Sequence, residues 1–269
     1  MRTHKTILSS IETEAIAGRD DAAAYAFLKD RLKNDPRVGA RKLLSKYERR
    51  ASGAVHETAR LQKMWVYESR ARERGARVLA GVDEAGRGPL AGPVVASAVI
   101  LPEQPDLGFL SGLNDSKQMT AEKREELFSR IYEIAVSVGV GFAQAKEIDE
   151  INILQASRRA MERAVMKLTP QPDWLLLDAI TIEGFPFEHQ QPIIHGDALS
   201  LSIAAASVVA KVTRDHLMLE LDEKYPGYGF AKHKGYGTAA HLAALRKLGP
   251  CPEHRGTFSP VQQLTLGGF

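Results

Sequence analysis

At Val78 the chain changes character, and that change limits the folds open to it. Upstream, Ala, Arg, Lys, Glu and Leu dominate and β-branched residues are sparse, a helical composition. Downstream, short β-branched runs bounded by Gly and Pro alternate with helix-patterned stretches. VLAGVDEA (78–85) reads as a strand ending in acids, and PVVASAVIL (93–101) as a second strand. Thr120 is placed to cap a helix over AEKREELFSRIYEIA, and VSVGVGFAQA forms a third strand. IDEINILQASRRAMERAVMKL follows as a helix broken at most once. DWLLLDAI is a continuous apolar strand of the buried kind, and QPIIHGD is a short fifth strand. A long helix, LSLSIAAASVVAKVTRDHLMLELDEKY, is followed by AAHLAALRKL, capped by Thr238 and closed by Gly249. The order β-β-α-β-α-β-β-α-α predicts an α/β fold: a mixed sheet with helices packed on it. Ligands of such sheets sit beyond the carboxyl ends of strands.

The first part reads as helices throughout. Asp20 or Asp21 caps one over AAAYAFLKDRLK, Asp35-Pro36 marks a break and restart, and a third segment from His56 ends at Gly75. The expected division is a basic helical extension over 1–77 and a sheet domain over 78–269. Charge divides the same way. Residues 1–78 carry 18 Lys and Arg against 10 Asp and Glu, a net +8, while the remainder carries 18 against 23, a net −5. The net +3 of the whole conceals this asymmetry, which suits a polyanion held by the first part or, more plainly, a solvated helical face.

Composition excludes several classes. With 44% hydrophobic and 26% charged residues the chain is neither collagen-like nor wholly disordered. The single cysteine, Cys251, rules out an intrachain disulfide and a Cys-rich zinc site. No apolar run approaches the roughly 20 residues of a membrane span. The expectation is a cytoplasmic protein with no membrane partner.

Carboxylates close three of the strands. Asp83 and Glu84 end the first, Asp178 ends WLLLD, and Asp197 follows the fifth at HGD. A lone Asp at a strand end is more often a cap, but an unpaired charge after Trp174, Leu175, Leu176 and Leu177 is costly. If the three strands are neighbours, four carboxylates converge. Two like charges at about 4 Å repel by roughly 4 kcal/mol at an effective dielectric near 20, so protons or cations must neutralise them. Oxygen ligands without cysteine favour Mg²⁺ or Mn²⁺, and an ion pair of that kind serves phosphodiester hydrolysis. Alternation along a strand sends Asp83 and Glu84 to opposite sides unless the strand bends there.

Gly86-Arg87-Gly88-Pro89-Leu90-Ala91-Gly92 follows the first strand. Its G-x-G-x-x-x-G spacing leads into a strand rather than a helix, which argues against a nucleotide cofactor. Glycines there permit close backbone approach to a ligand. Arg87 suits a phosphate or one of the nearby acids. Lys211 and Arg214 either reach phosphate from the long helix or solvate it, and Ser207 shares a helical face with Lys211.

GVDEAGRGPLAGPVVASAVIL, LNDSKQ, LLLDA, GDALSLSIAAASVVAKVTRD and YPGYGFAKHKGYGT, in that order, together resemble ribonuclease HII, the bacterial type 2 ribonuclease H. The likeness runs from about residue 78 to about 265. It implies a ribonuclease H-like mixed sheet with flanking helices and a divalent-metal endonuclease. The implied substrates are RNA in RNA–DNA hybrids and duplex DNA containing ribonucleotides, incised on the 5′ side to leave 3′-hydroxyl and 5′-phosphate ends. By position, Asp83, Glu84, Asp178 and Asp197 become both the metal ligands and the catalytic acids. Gly86, Arg87 and Gly88 become the sensor of the ribose 2′-hydroxyl, and Tyr236 the platform for the following deoxyribose. Lys117 falls near the site. The segment before Val78 exceeds the minimal family chain, and Asp178-Ala179 stands where some relatives have Asp-Gly.

Overall fold

The computed structural model describes residues 4–265; the outermost residues of both expected segments, 1–3 and 266–269, lie outside the described residues. The chain divides into two compact units between Gln62 and Lys63. The first holds α1 (His4–Ile16), α2 (Asp21–Leu32) and most of α3 (Val38–Met64). The Asp20 carboxylate accepts the Ala23 amide at 2.7 Å and caps α2. Ala15, Ala24, Leu28, Leu32, Ala40, Leu43 and Tyr47 form the core of this unit. The chain does not pause near His56: α3 runs through Gly53, and the interruption comes at Trp65. An isolated glycine costs a helix only about 1 kcal/mol, which the packed face of α3 overrides. Along the outer side of α3, Arg41, Lys42 and Arg49 are exposed and none pairs with a carboxylate among the described residues.

In the second unit the end of α3 is followed by α4 (Val66–Glu73), which packs with the sheet. Its Glu68 is fully buried and accepts from Ser200 Oγ at 2.6 Å and the Ser202 amide at 2.9 Å. The strands are β1 (Leu79–Ala85), β2 (Val94–Ile100), β3 (Ser137–Ala143), β4 (Trp174–Asp178) and β5 (Gln190–Ile193). Their order in the sheet is β3-β2-β1-β4-β5. β1 is antiparallel to β2 and parallel to β4, which is parallel to β5, so the expected mixed sheet forms. β1, β4 and β5 are adjacent, as convergence of their carboxyl ends requires.

Helices cover the sheet. Between β2 and β3 lies α5 (Ala121–Ile134), capped by Thr120, and between β3 and β4 lies α6 (Ala145–Val165). Ala80, Val82, Leu175 and Leu177 face a core shared with Ala156, Ala160, Met161 and Ala164 of α6. The single expected break in that helix sits at Asn152, with φ 67°, whose side chain accepts the Leu154 and Gln155 amides and restarts the helix. After β5 come α7 (Gly196–Leu199) and α8 (Leu201–Lys224). α8 packs on β1 and β2 so closely that a Cβ at Gly81 would lie 2.2 Å from the Ser202 carbonyl carbon. Only glycine allows this approach, and it sets the face of α8 bearing Ser207 against the end of β1. The chain ends with α9 (Phe230–His233), α10 (Ala239–Leu248) and α11 (Ser259–Thr265). No helix among the described residues is long and apolar enough to cross a membrane.

Candidate metal centre and cleft

Val82 lies opposite Leu177 in the β1–β4 ladder, so Asp83 and Asp178 come next to each other at the strand ends. Alternation puts both on the face away from the core that holds Val82 and Leu177. Asp197 follows the fifth strand, as expected, although that strand is shorter than QPIIHGD. β5 ends at Ile193, and His195, at φ 58°, turns the chain into α7, which carries Asp197. The turn is pinned by the Gly196 amide, which donates to Asp178 Oδ1 at 2.8 Å. One carboxylate oxygen each from Asp83, Asp178 and Asp197 lies within 4.8 Å of the other two.

Glu84 is outside that set of three. It follows Asp83 directly at the end of β1. It still borders the same cleft, and its Oε1 pairs with Arg87 Nη1 at 3.2 Å. Its Oε2 is buried without a hydrogen-bond partner.

Electrostatics in this corner are unfavourable to four anions. Burial, then the charges of Glu84 and Asp178, push the Asp83 carboxyl well above the usual carboxylate range. Burial pushes Glu84 up to about 7, with Arg87 opposing and Asp178 adding to the rise. Burial, then Asp178 and Asp115, raise Asp197, against the pull of Lys117. Clustered, inward-aimed oxygen donors that repel one another, with one oxygen left unpartnered, fit a hard divalent cation. Lys117 Nζ stands 3.6 Å from Asp197 Oδ2 at the end of an exposed side chain.

The cleft beside the acids has a volume of about 340 Å³. Gly86, Arg87, Gly88, Lys117, Lys211 and Tyr236 line it. Gly88 is exposed and makes no hydrogen bond to a described residue, and its position for a Cβ is 3.8 Å from the Tyr236 ring. Gly86, at φ +93°, has no room for a side chain, because a Cβ would meet Arg214 Nε at 2.0 Å. Ser207 and Ser116 bond to each other at 2.9 Å on the floor of the cleft. Ala179, directly after Asp178, has φ 59°, a left-handed conformation that favours glycine.

Two arginines take roles that the sequence did not suggest. Arg214 does not reach toward phosphate; it is 1% exposed and donates to the carbonyls of Pro93, Ala91 and Lys234. Arg255 is fully buried and donates to the carbonyls of Gly86, Arg87 and Gly92 at 2.6 to 3.0 Å. Burial, its largest influence, brings Arg255 down to about 9, so it remains charged at neutral pH. The guanidinium thus fastens both ends of the glycine loop by its carbonyls. Arg255 lies in a Gly- and Pro-rich stretch without periodicity, so nothing local in the sequence marks it. Lys211 pairs with Asp215 at 2.5 Å and borders the cleft.

The family model for ribonuclease HII matches residues 80–261, and the model for the ribonuclease HII N-terminal domain matches residues 13–72. The chain belongs to the ribonuclease HII family. It is 57% identical to ribonuclease HII of Geobacter sulfurreducens over 200 residues, covering 74% of this chain and 90% of the relative. With ribonuclease HII of Geobacillus kaustophilus it shares 51% identity over 233 residues, 87% of this chain and 88% of that one. The solved ribonuclease H2 of Pyrococcus horikoshii superimposes with a TM-score of 0.60 at 28% identity, over 71% of this chain and 99% of that one. As a ribonuclease HII, the chain is a divalent-metal-dependent endoribonuclease of the ribonuclease H type, with the ribonuclease H-like fold expected from its sequence.

Proposed function

We propose that Asp83, Glu84, Asp178 and Asp197 hold Mg²⁺ or Mn²⁺ and that this ribonuclease HII cuts at ribonucleotides, both in RNA–DNA hybrids and singly embedded in duplex DNA. The observation that carries the reading is the meeting of Asp83, Asp178 and Asp197 oxygens within 4.8 Å of one another beside a glycine-lined cleft. A divalent ion supplies Lewis acidity there, lowering the pKa of water and stabilising a departing oxygen. Asp83, buried and hydrogen-bonded by Ser207, would hold the cation through its carboxylate. Asp178 is oriented by the Gly196 amide and Asp197 by its neighbour Lys117. Lys117 offsets the charge of the scissile phosphate. Arg87 shields Glu84 until substrate arrives.

Recognition comes from the opposite wall. Gly86, Arg87 and Gly88 present backbone to the ribose 2′-hydroxyl, and a site built around a hydroxyl rejects the analogue without it by leaving its own polar groups unpaired. Tyr236, 48% exposed across from Gly88, stacks on the deoxyribose that follows the ribonucleotide. Duplex shape and the hydroxyl are read, not base sequence. The extension before the sheet holds the duplex through its surplus cations, and the enzyme works in the cytoplasm, where its one thiol stays reduced.

The deciding assay is a DNA duplex carrying one ribonucleotide, incubated with and without Mg²⁺ and with the ends mapped. Incision on the 5′ side, leaving a 3′-hydroxyl, only with the metal, is expected. Equal cutting of an all-DNA duplex would instead make this a general nuclease. Tyr236→Ala should reduce incision at the single ribonucleotide by roughly 10-fold or more, the scale of losing about 1–3 kcal/mol of stacking. Its bulk duplex affinity should fall less, which fluorescence anisotropy measures. Exchanging Arg41, Lys42 and Arg49 for Gln should weaken duplex binding and flatten its salt dependence by about 0.9 in log–log slope for each phosphate no longer neutralised. An unchanged slope assigns those residues to the solvated face alone.

A further inference from the structure

Behind Tyr236 stands a pair of imidazoles that no step of the nuclease reaction uses. His241, on α10, is fully buried, and His254, in the segment after it, is 6% exposed. His241 Nδ1 lies 2.9 Å from the Tyr236 carbonyl oxygen. A carbonyl only accepts, so Nδ1 carries the proton, and the neutral ring offers Nε2 as an acceptor. His254 Nε2, 3.1 Å away, therefore donates. At the far end, His254 Nδ1 accepts the Cys251 backbone amide at 3.0 Å, with the Cys251 thiol at 3.1 Å, so it holds no proton of its own. The tautomer of each ring is dictated by a backbone group at one end of the chain of bonds, and the two requirements agree in the middle.

The surroundings keep both rings neutral. Burial pushes His241 below its ordinary range, and burial followed by the neighbouring His241 brings His254 down to about 4. His233 of α9 stacks on His241 at 4.3 Å between centroids. Its own Nε2 faces the Tyr228 carbonyl at 2.9 Å, and its Nδ1 accepts the Gly235 amide at 3.3 Å. Tyr228 lies 5.0 Å from the His254 ring, and Cys251 is the thiol beside it. The cations of the neighbouring segments, Arg214 of α8 and Arg255, spend their protons on backbone carbonyls. No carboxylate hydrogen-bonds to either ring among the described residues, so nothing rewards an imidazolium.

We propose that His241 and His254 are positioning residues: a proton-ordered chain from the Cys251 amide through both rings to the Tyr236 carbonyl holds Tyr236 at the cleft. The Tyr236 ring is half exposed, so its place is set by its backbone. That backbone is tied by the Tyr236 amide to the His233 carbonyl at 2.9 Å, and by its carbonyl to the Thr238 amide at 2.8 Å and to His241. Of these ties, the one from His241 is made by a side chain; a second proton on His241 would set two N–H groups against each other at the Nε2–Nε2 contact, and one on His254 would set its Nδ1–H against the Cys251 amide.

The inference rests on the reading of Tyr236 given above, and the test separates the two. In ¹⁵N-histidine spectra of the full chain, His241 is expected as the Nδ1–H tautomer and His254 as Nε2–H. Both should stay neutral near pH 6, where an ordinary imidazole of pKa about 6.5 is mostly charged. The opposite tautomers, or a charged ring at that pH, overturn the proposal whether or not any variant folds. In kinetics, His241→Leu should lose roughly tenfold in incision at a single embedded ribonucleotide relative to cleavage of an all-RNA hybrid strand, within the range a small misplacement costs. His241→Asn, whose amide replaces the Nδ1–H donor, should recover most of that ratio. Equal loss on both substrates in two folded variants makes the histidines merely structural and overturns the proposal. If Tyr236→Ala leaves the ratio unchanged, the Tyr236 reading has failed. If Tyr236→Ala lowers the ratio and His241→Leu does not, this inference alone has failed.

Discussion

Replacing Asp83 with Asn should abolish most cleavage while making the metal-free protein more stable. The activity loss is expected to be roughly 10³-fold, because the ligand supports several kcal/mol of transition-state stabilisation. The stability gain follows from the sign of the Asp83 shift. Its carboxyl sits well above the usual range in the folded protein, owing to burial and then to Glu84 and Asp178. The folded state therefore holds a proton that the unfolded state has released, and stability falls as pH rises from the ordinary carboxylate range through the folded value. Near neutral pH, asparagine removes that repulsion and keeps an oxygen to accept the Glu84 amide, now at 2.7 Å from Asp83 Oδ1. Thermal melts in EDTA should place the variant above the parent, by about 2–4 °C for each kcal/mol gained. Added Mg²⁺ or Mn²⁺ should raise the parent more than the variant, since a ligand stabilises only the state that binds it. A variant that melts lower than the parent in EDTA, or that cleaves normally, removes Asp83 from the centre.

Arg255→Met should be the most damaging single change outside the acids. The side chain satisfies the carbonyls of Gly86, Arg87 and Gly92 in a fully buried setting. Methionine fills similar space and bonds none of them. An orphaned buried acceptor costs about 1–3 kcal/mol, so three give a loss of roughly 3–5 kcal/mol or more. The melting temperature should drop by about 10 °C or more at 2–4 °C per kcal/mol. Chemical denaturation measures the loss, and a drop below about 1 kcal/mol would mean that the loop carbonyls find water instead. Arg255→Lys should recover only part, because an ammonium cannot span three carbonyls as the planar fork does.

Much of this molecule was legible in its sequence, for identifiable reasons. Strands rich in Val, Ile and Leu with Gly or Pro at their ends announced the sheet, and Thr120 and Thr238 announced two helices by their caps. The meeting of Asp83 and Asp178 was legible because an unpaired charge closing an apolar, buried strand is costly unless another group joins it. The position of Asp197 on α7 was not, because His195 takes a left-handed conformation that a non-glycine residue rarely signals. Glu84 lies outside the set of three oxygens but borders the same cleft, so alternation along the strand did not by itself decide its place. Arg214 and Arg255 misled or escaped notice because buried arginine is rare, and nothing local distinguishes one that binds carbonyls from one that binds phosphate. The start of α4 was hidden likewise, since α3 continues through Gly53 with no breaker before Trp65.

The latch between Arg255 and Gly86 joins residues 169 positions apart. A chain emerging from the ribosome folds from its amino-terminal side, at about 5–20 residues per second. The acids at 83, 178 and 197 are made well before the arginine that fixes the loop beside them. For some seconds a nascent chain therefore carries the acids and the glycine loop without the side chain that ties the loop's carbonyls. On the reading proposed above, the loop that would face the ribose is thus the last wall of the cleft to be secured.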